Sequence, residues 1–182
     1  MNARQEPSPD ASSRLCLSCG MCCDGSLFAR GRIEPGERQH WEAQGLDCFG
    51  DGEADFFLQS CPCLEGTSCT LFGSGRPAIC GSFRCEPLRR MEAGDTSLEA
   101  AQATIRQALD LKAQVVAAAR SAGVRYRNFL HLKDELARAF IDPSLDSEAS
   151  GKALIALALF HEFTEAQILP DEAEEQRAGP GA

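Results

Sequence analysis

The sequence predicts an α+β protein, with a small cysteine-rich, loop-rich module followed by a mainly α-helical C-terminal segment. Three observations point there. All 10 cysteines fall between Cys16 and Cys85, glycines and short apolar runs crowd the same stretch, and from Leu98 onward apolar residues recur at helical spacing. A chain of 182 residues suits one compact domain, or a small domain with an accessory segment. The expected organisation is a polar, disordered arm over 1–13, a cysteine module over 14–90, a helical segment over 95–169 and a disordered acidic tail over 170–182.

Within the module, 27–33 reads as a short strand and 35–44 as a short helix, with Pro35 in its first turn and Gly45 just past its end. Residues 56–59 and 70–72 read as strands flanking the turn at Glu65-Gly66. The helical half opens on Thr96-Ser97-Leu98-Glu99, a capping-box pattern. Leu98, Ala101, Ile105, Ala108, Val115 and Ala119 then follow at helical spacing, and Gly123 ends the run. A second helix is expected over 127–140, burying Phe129, Leu132, Leu136 and Phe140 and stopping before Asp142-Pro143. A third starts near Ser147, and its stretch 153–160 is apolar on nearly every side, as in a helix at the middle of a small bundle. No internal repeat points to a solenoid.

Charge and hydropathy narrow the function classes. A net charge of -9 opposes sequence-independent nucleic-acid binding, which needs a basic face. Arg76, Arg84, Arg89 and Arg90 gather around the last cysteines, where they would either offset a negatively charged thiolate centre or form a solvated basic patch. The longest apolar run, 153–160, is far short of the ~20 residues a membrane helix requires. Residues 1–15 hold no apolar run of the length a secretory signal needs, so the expected compartment is the reducing cytoplasm, where thiols stay free.

The cysteines then carry the chemistry. Cys16-Leu-Ser-Cys19-Gly-Met-Cys22-Cys23 sets four sulfurs within eight residues. A Cys-x-x-Cys step lets a tight turn aim two thiolates at one cation, and zinc binds four such ligands tetrahedrally at about 2.3 Å. A second constellation runs Cys61-Pro-Cys63-Leu, Cys69, then Arg76-Pro-Ala-Ile-Cys80-Gly-Ser-Phe-Arg-Cys85. Zinc and a cubane iron-sulfur cluster each take four protein ligands, so eight thiolates suit two zinc ions, or one cluster and one zinc. Side chains of neighbouring residues diverge, so Cys22 and Cys23 face different walls, and interleaved use of the two constellations is expected. Cys48 stands alone and reads as a buried, unligated thiol.

These residues resemble the YkgJ-type cysteine-cluster family, described as a zinc- or iron-chelating domain. Its pattern is Cys-x-x-Cys-x-x-Cys-Cys, then Cys-Pro-x-Leu, Cys-x-hydrophobic-aromatic and Arg-Pro-x-x-Cys-x-x-Phe-x-Cys. The resemblance covers about residues 15–86 and implies Cys16, Cys19, Cys22, Cys23, Cys61, Cys69, Cys80 and Cys85 as metal ligands. It also ranks Cys63 below Cys61. Two departures are Gly81, where many members carry arginine, and a Phe72–Arg76 spacing one residue longer than usual. Some relatives are linked to flagellin lysine N-methylation with an iron-sulfur centre, which implies, as an alternative, an iron-sulfur enzyme or an accessory factor for protein modification. The expected partners are a metal ion and a protein docking on the helices, with no nucleic acid and no membrane.

Other motifs are weaker. His161-Glu162 with Glu165 lacks the second histidine of a metal-hydrolase helix, and His131, Asp134 and Glu135 fit a solvated face equally well. Trp41, beside His40, reads as a packing anchor. Gly73 and Gly75 form a turn rather than a nucleotide loop, because the following glycine and helix are missing.

Overall fold

The computed structural model describes residues 10–50, 53–139, 141–142 and 146–170. Its architecture is α+β. Helix α1 (Ala11–Leu17) opens the described chain, with Asp10 capping it by accepting from the Ser13 amide at 2.7 Å. Residues 10–13, read from sequence as part of the polar arm, instead supply the cap and first turn of α1. Residues 1–9 and 171–182 lie outside the described residues.

A three-stranded antiparallel sheet follows, from β1 (Arg30–Ile33), β2 (Cys48–Gly50) and β3 (Asp55–Leu58), in the order β1-β3-β2. Helix α2 (Arg38–Ala43) connects β1 to β2 and buries Trp41, the packing anchor expected from sequence. A hairpin of β4 (Leu64–Glu65) and β5 (Ser68–Cys69) comes next. The strand expected over 70–72 is instead a turn. Thr70 spends its amide on the Cys63 carbonyl at 2.9 Å, and the Phe72 amide folds back onto Cys69 at 3.1 Å, which ends the pairing. Short helices α3 (Ala78–Ser82) and α4 (Glu86–Glu92) lead to the long helices α5 (Leu98–Ser121), α6 (Phe129–Ala139) and α7 (Ser147–Gln167). The Ser97 hydroxyl caps α5 by accepting from the Ala100 amide at 3.1 Å, and Asp146 caps α7 through the amides of Glu148 and Ala149.

Two hydrophobic cores result. The larger joins the three long helices through Ala108, Val115, Leu132, Leu136, Ala153 and Phe160, and takes in Leu15, Met21 and Leu88 from the cysteine module. Phe129 meets Phe160 edge to face at 5.4 Å. The smaller core lies under the sheet: Ile33, Trp41, Leu46, Phe57 and Cys63. Helix α7 is less enclosed than its sequence suggests. It packs chiefly on α5 and α6, and Ile155 and Leu159, one turn apart, stay exposed. No helix among the described residues is long and apolar enough to cross a membrane.

Gly31 is set by a close approach. It pairs with Phe57 across β1 and β3, and a Cβ added there would stand 2.4 Å from the Phe57 ring. Gly31→Ala must push a fully buried ring out of the smaller core. The expected loss is about 1–3 kcal/mol, as for other overpacked cores, measurable by denaturant unfolding. An unchanged midpoint would mean that the ring is not held against β1.

Candidate metal centre

A cavity of about 360 Å³ lies between the sheet, the hairpin and the short helices. Nine of the ten cysteines line it: Cys16, Cys19, Cys22 and Cys23 from one wall, and Cys61, Cys63, Cys69, Cys80 and Cys85 from the others. All eight sequence-predicted ligands are thus brought to one place. Cys48 is not in the lining; it sits on edge strand β2 beside the smaller core. Every cysteine is a free thiol.

Local structure explains the placement. Cys16 lies in the last turn of α1, and the Cys19 amide bonds the Cys16 carbonyl at 3.2 Å, closing the Cys-x-x-Cys turn. Gly20 then takes φ +71, a left-handed conformation that a side chain would strain, and its α-carbon faces the Thr67 backbone of the hairpin. Cys80 sits inside α3, and Cys85 is the N-cap of α4. The chain leaving β3 is stitched onto the Cys-Cys segment by three successive residues. The Gln59 side-chain Nε2 donates to the Cys22 carbonyl at 2.9 Å, the Ser60 hydroxyl to the Asp24 carbonyl at 3.1 Å, and the Cys61 backbone amide to the Cys23 carbonyl at 2.7 Å.

The helical segment holds the same loop from the other side. Lys112 of α5 pairs with the Asp24 carboxylate, with side chains 21% and 18% exposed, and Lys133 of α6 donates to the Ser26 carbonyl at 2.8 Å. Sequence reading missed this contact, since a lysine on a helix 88 residues from its partner leaves no local signal.

Electrostatically the site favours protons over bare thiolates. Burial pushes Cys19, Cys23 and Cys61 up to about 12, and Cys80 and Cys85 to about 11; Cys22 lies well above its ordinary value for the same reason. Neighbouring thiols add to the effect. Cys85, Cys16 and Cys19 crowd Cys22, whereas Cys61, Cys80 and Cys69 crowd Cys23. Cys16 is raised by burial and drawn back by Arg76 and Arg84. Against burial work backbone amides that donate to sulfur, Met21 to Cys19, Cys63 to Cys61 and Leu88 to Cys85. The Arg76 guanidinium lies on the Phe72 ring, 4.2 Å from its centroid, and its charge also lowers Cys80. Arg84 is paired with Glu92 at 3.2 Å and Arg89 with Glu86 at 3.2 Å.

The donor set suits a thiophilic cation. Buried thiols that raise one another's affinity for protons are what a cation would reverse. Among the described residues, no group of three or more His, Cys, Asp and Glu side chains is drawn up as a metal-holding set. His131 does not join one: its Nδ1 accepts from the Arg127 amide at 3.1 Å and its Nε2 meets Glu135 at 3.3 Å. His161 is lowered by burial and by Lys133, and its Nε2 is buried without a hydrogen-bond partner. No family model matches the chain, and neither the curated proteins nor the solved structures contain a match to it.

Two predictions follow from the electrostatics. In the metal-free chain, an unfolded cysteine ionises near the ordinary 9.0, whereas the folded thiols hold their protons to about 11 or 12. Their contribution to stability is full below pH 9 and is lost as pH rises toward 12, because the unfolded chain then releases protons first. Denaturant unfolding of metal-free protein at stepped alkaline pH should show this fall, and a flat profile would mean that the thiols are not held in the cavity. Separately, Lys112→Met leaves the Asp24 carboxylate partly buried and unpaired. The expected cost is about 1–3 kcal/mol, below that of a fully enclosed pair because water reaches both groups. A change under about 0.5 kcal/mol would place the pair among ordinary surface contacts.

Proposed function

We propose that this chain is a metal-binding protein that chelates zinc or an iron-sulfur cluster through Cys16, Cys19, Cys22, Cys23, Cys61, Cys69, Cys80 and Cys85. The observation that carries the reading is their convergence: eight thiols from sequence positions 16 to 85 line one cavity, all reduced, while Cys48 stays out of it. Thiolates bind both zinc and iron-sulfur clusters, so the donor set supports either. Membership of the YkgJ-type cysteine-cluster family belongs to the same proposal, on the strength of the motif residues. So does a cytoplasmic location, where thiols stay reduced.

The size of the cavity favours a second reading. About 360 Å³ falls in the range of small-molecule sites. Phe28, Phe56 and Phe72 give it an apolar wall, room that an iron-sulfur enzyme or an accessory factor for protein modification would use. In the binding reading, the exposed Ile155 and Leu159 of α7 would serve a protein partner.

Elemental analysis of freshly purified protein, with an absorption spectrum taken under anaerobic conditions, tests both readings. At least one equivalent of zinc plus iron per chain is expected, and a smaller amount overturns the proposal. A brown protein absorbing broadly at roughly 400 nm points to a cluster, and a colourless zinc-rich one to the chelating module.

A further inference from the structure

We propose that the eight thiols form two separate four-sulfur sites divided between Cys22 and Cys23: Cys16, Cys19, Cys22 and Cys85 in the first, and Cys23, Cys61, Cys69 and Cys80 in the second. The inference rests on the metal-binding reading above and deepens it. The division does not follow sequence order. It takes Cys85, the last cysteine, into the company of the first three, and gives Cys23 to the second constellation.

Two observations carry it. First, the cysteines pack on different cores: Cys16, Cys19 and Cys85 lie against the helical core, whereas Cys61, Cys69 and Cys80 lie against the sheet core. Second, the backbone turns Cys22 and Cys23 apart. Cys22 follows Met21, which is buried in the helical core, and feels Cys19, Cys85 and Cys16 beside its neighbour Cys23. Cys23 has Cys61, Cys80 and Cys69, and its carbonyl is bonded by the Cys61 amide at 2.7 Å. Cys63, buried in the sheet core, stands behind the second set.

Each site therefore closes a different junction. The first ties the last turn of α1 to the N-cap of α4. The second ties the Cys-Cys segment to the hairpin and to α3. Arg76 lines the cavity with both sets, its guanidinium held on the Phe72 ring.

The experiment uses the full chain reloaded with Zn(II), titrated stepwise with a chelator, alkylated with N-ethylmaleimide at each step and mapped by mass spectrometry. About two zinc ions per chain are expected, and the thiols should become reactive in two groups of four with the composition given above. Release of all eight together, or of Cys16, Cys19, Cys22 and Cys23 as one group, overturns the division while leaving metal binding intact. Failure to take up zinc or iron at all overturns the underlying reading as well. Variants supply a second measurement. Cys16→Ser with Cys85→Ser should lose about one zinc, no more than either change alone, whereas Cys80→Ser with Cys85→Ser should lose about two. Equal losses from the two double variants overturn the division.

Discussion

The turn at Cys22-Cys23-Asp24 is the constraint on which the rest of the molecule depends. It is gripped from two sides. Gln59, Cys61 and Ser60 hold the carbonyls of Cys22, Cys23 and Asp24, while Lys112 reaches Asp24 and Lys133 reaches Ser26 just beyond it from the long helices. Asp24 serves both sides, since its carboxylate also accepts from the Ser26 amide at 2.8 Å, curling the chain away from the cysteines. The part of the chain with the sheet core and the part with the helical core are thereby joined at this turn.

That junction explains why so many thiols can be buried in a small space. A thiol is a tolerable core group while it keeps its proton, and burial together with mutual repulsion keeps the protons on. The cost falls on ionisation alone. In the proposed metal-bound state a cation would reverse the balance, because it replaces several protons at once. Without one, the same geometry holds a cluster of neutral thiols. The guanidinium of Arg76, held on the Phe72 ring, offsets part of the negative charge that such a centre would carry.

Much of this was legible in the sequence where the signal is local. The capping box at Ser97, the apolar stripe of α5, the start of α7 near Ser147 and the strand ending at Ile33 all follow from residues a few positions apart. Elements that depend on partners were not legible. Helix α1 is seven residues long and owes its place to Leu15 in the helical core, and the three residues of β2 exist only by pairing with β3. The hairpin ends at Cys69 because Thr70 turns to the Cys63 carbonyl, a contact that β-propensity does not encode. At the site, the motif resemblance named eight cysteines, and the structure brings them to one cavity together with Cys63. Neither spacing nor motif could tell which distant cysteines lie near one another.

The helical segment is more than a cap. Sequence alone reads it as scaffold, because its histidines and acids form no ligand pattern. The structure ties it to the cysteine cavity at three points. Lys112 and Lys133 hold the loop after Cys23, and the Glu86 amide at the start of α4 bonds the Ile168 carbonyl at the end of α7, at 2.9 Å. Cys85, the N-cap of α4 and the residue before Glu86, is thus tied to the C-terminal end of α7. A shift of α7 would pull on the backbone beside Cys85, so the packing of α7 on α5 and α6 helps to fix that wall of the cavity.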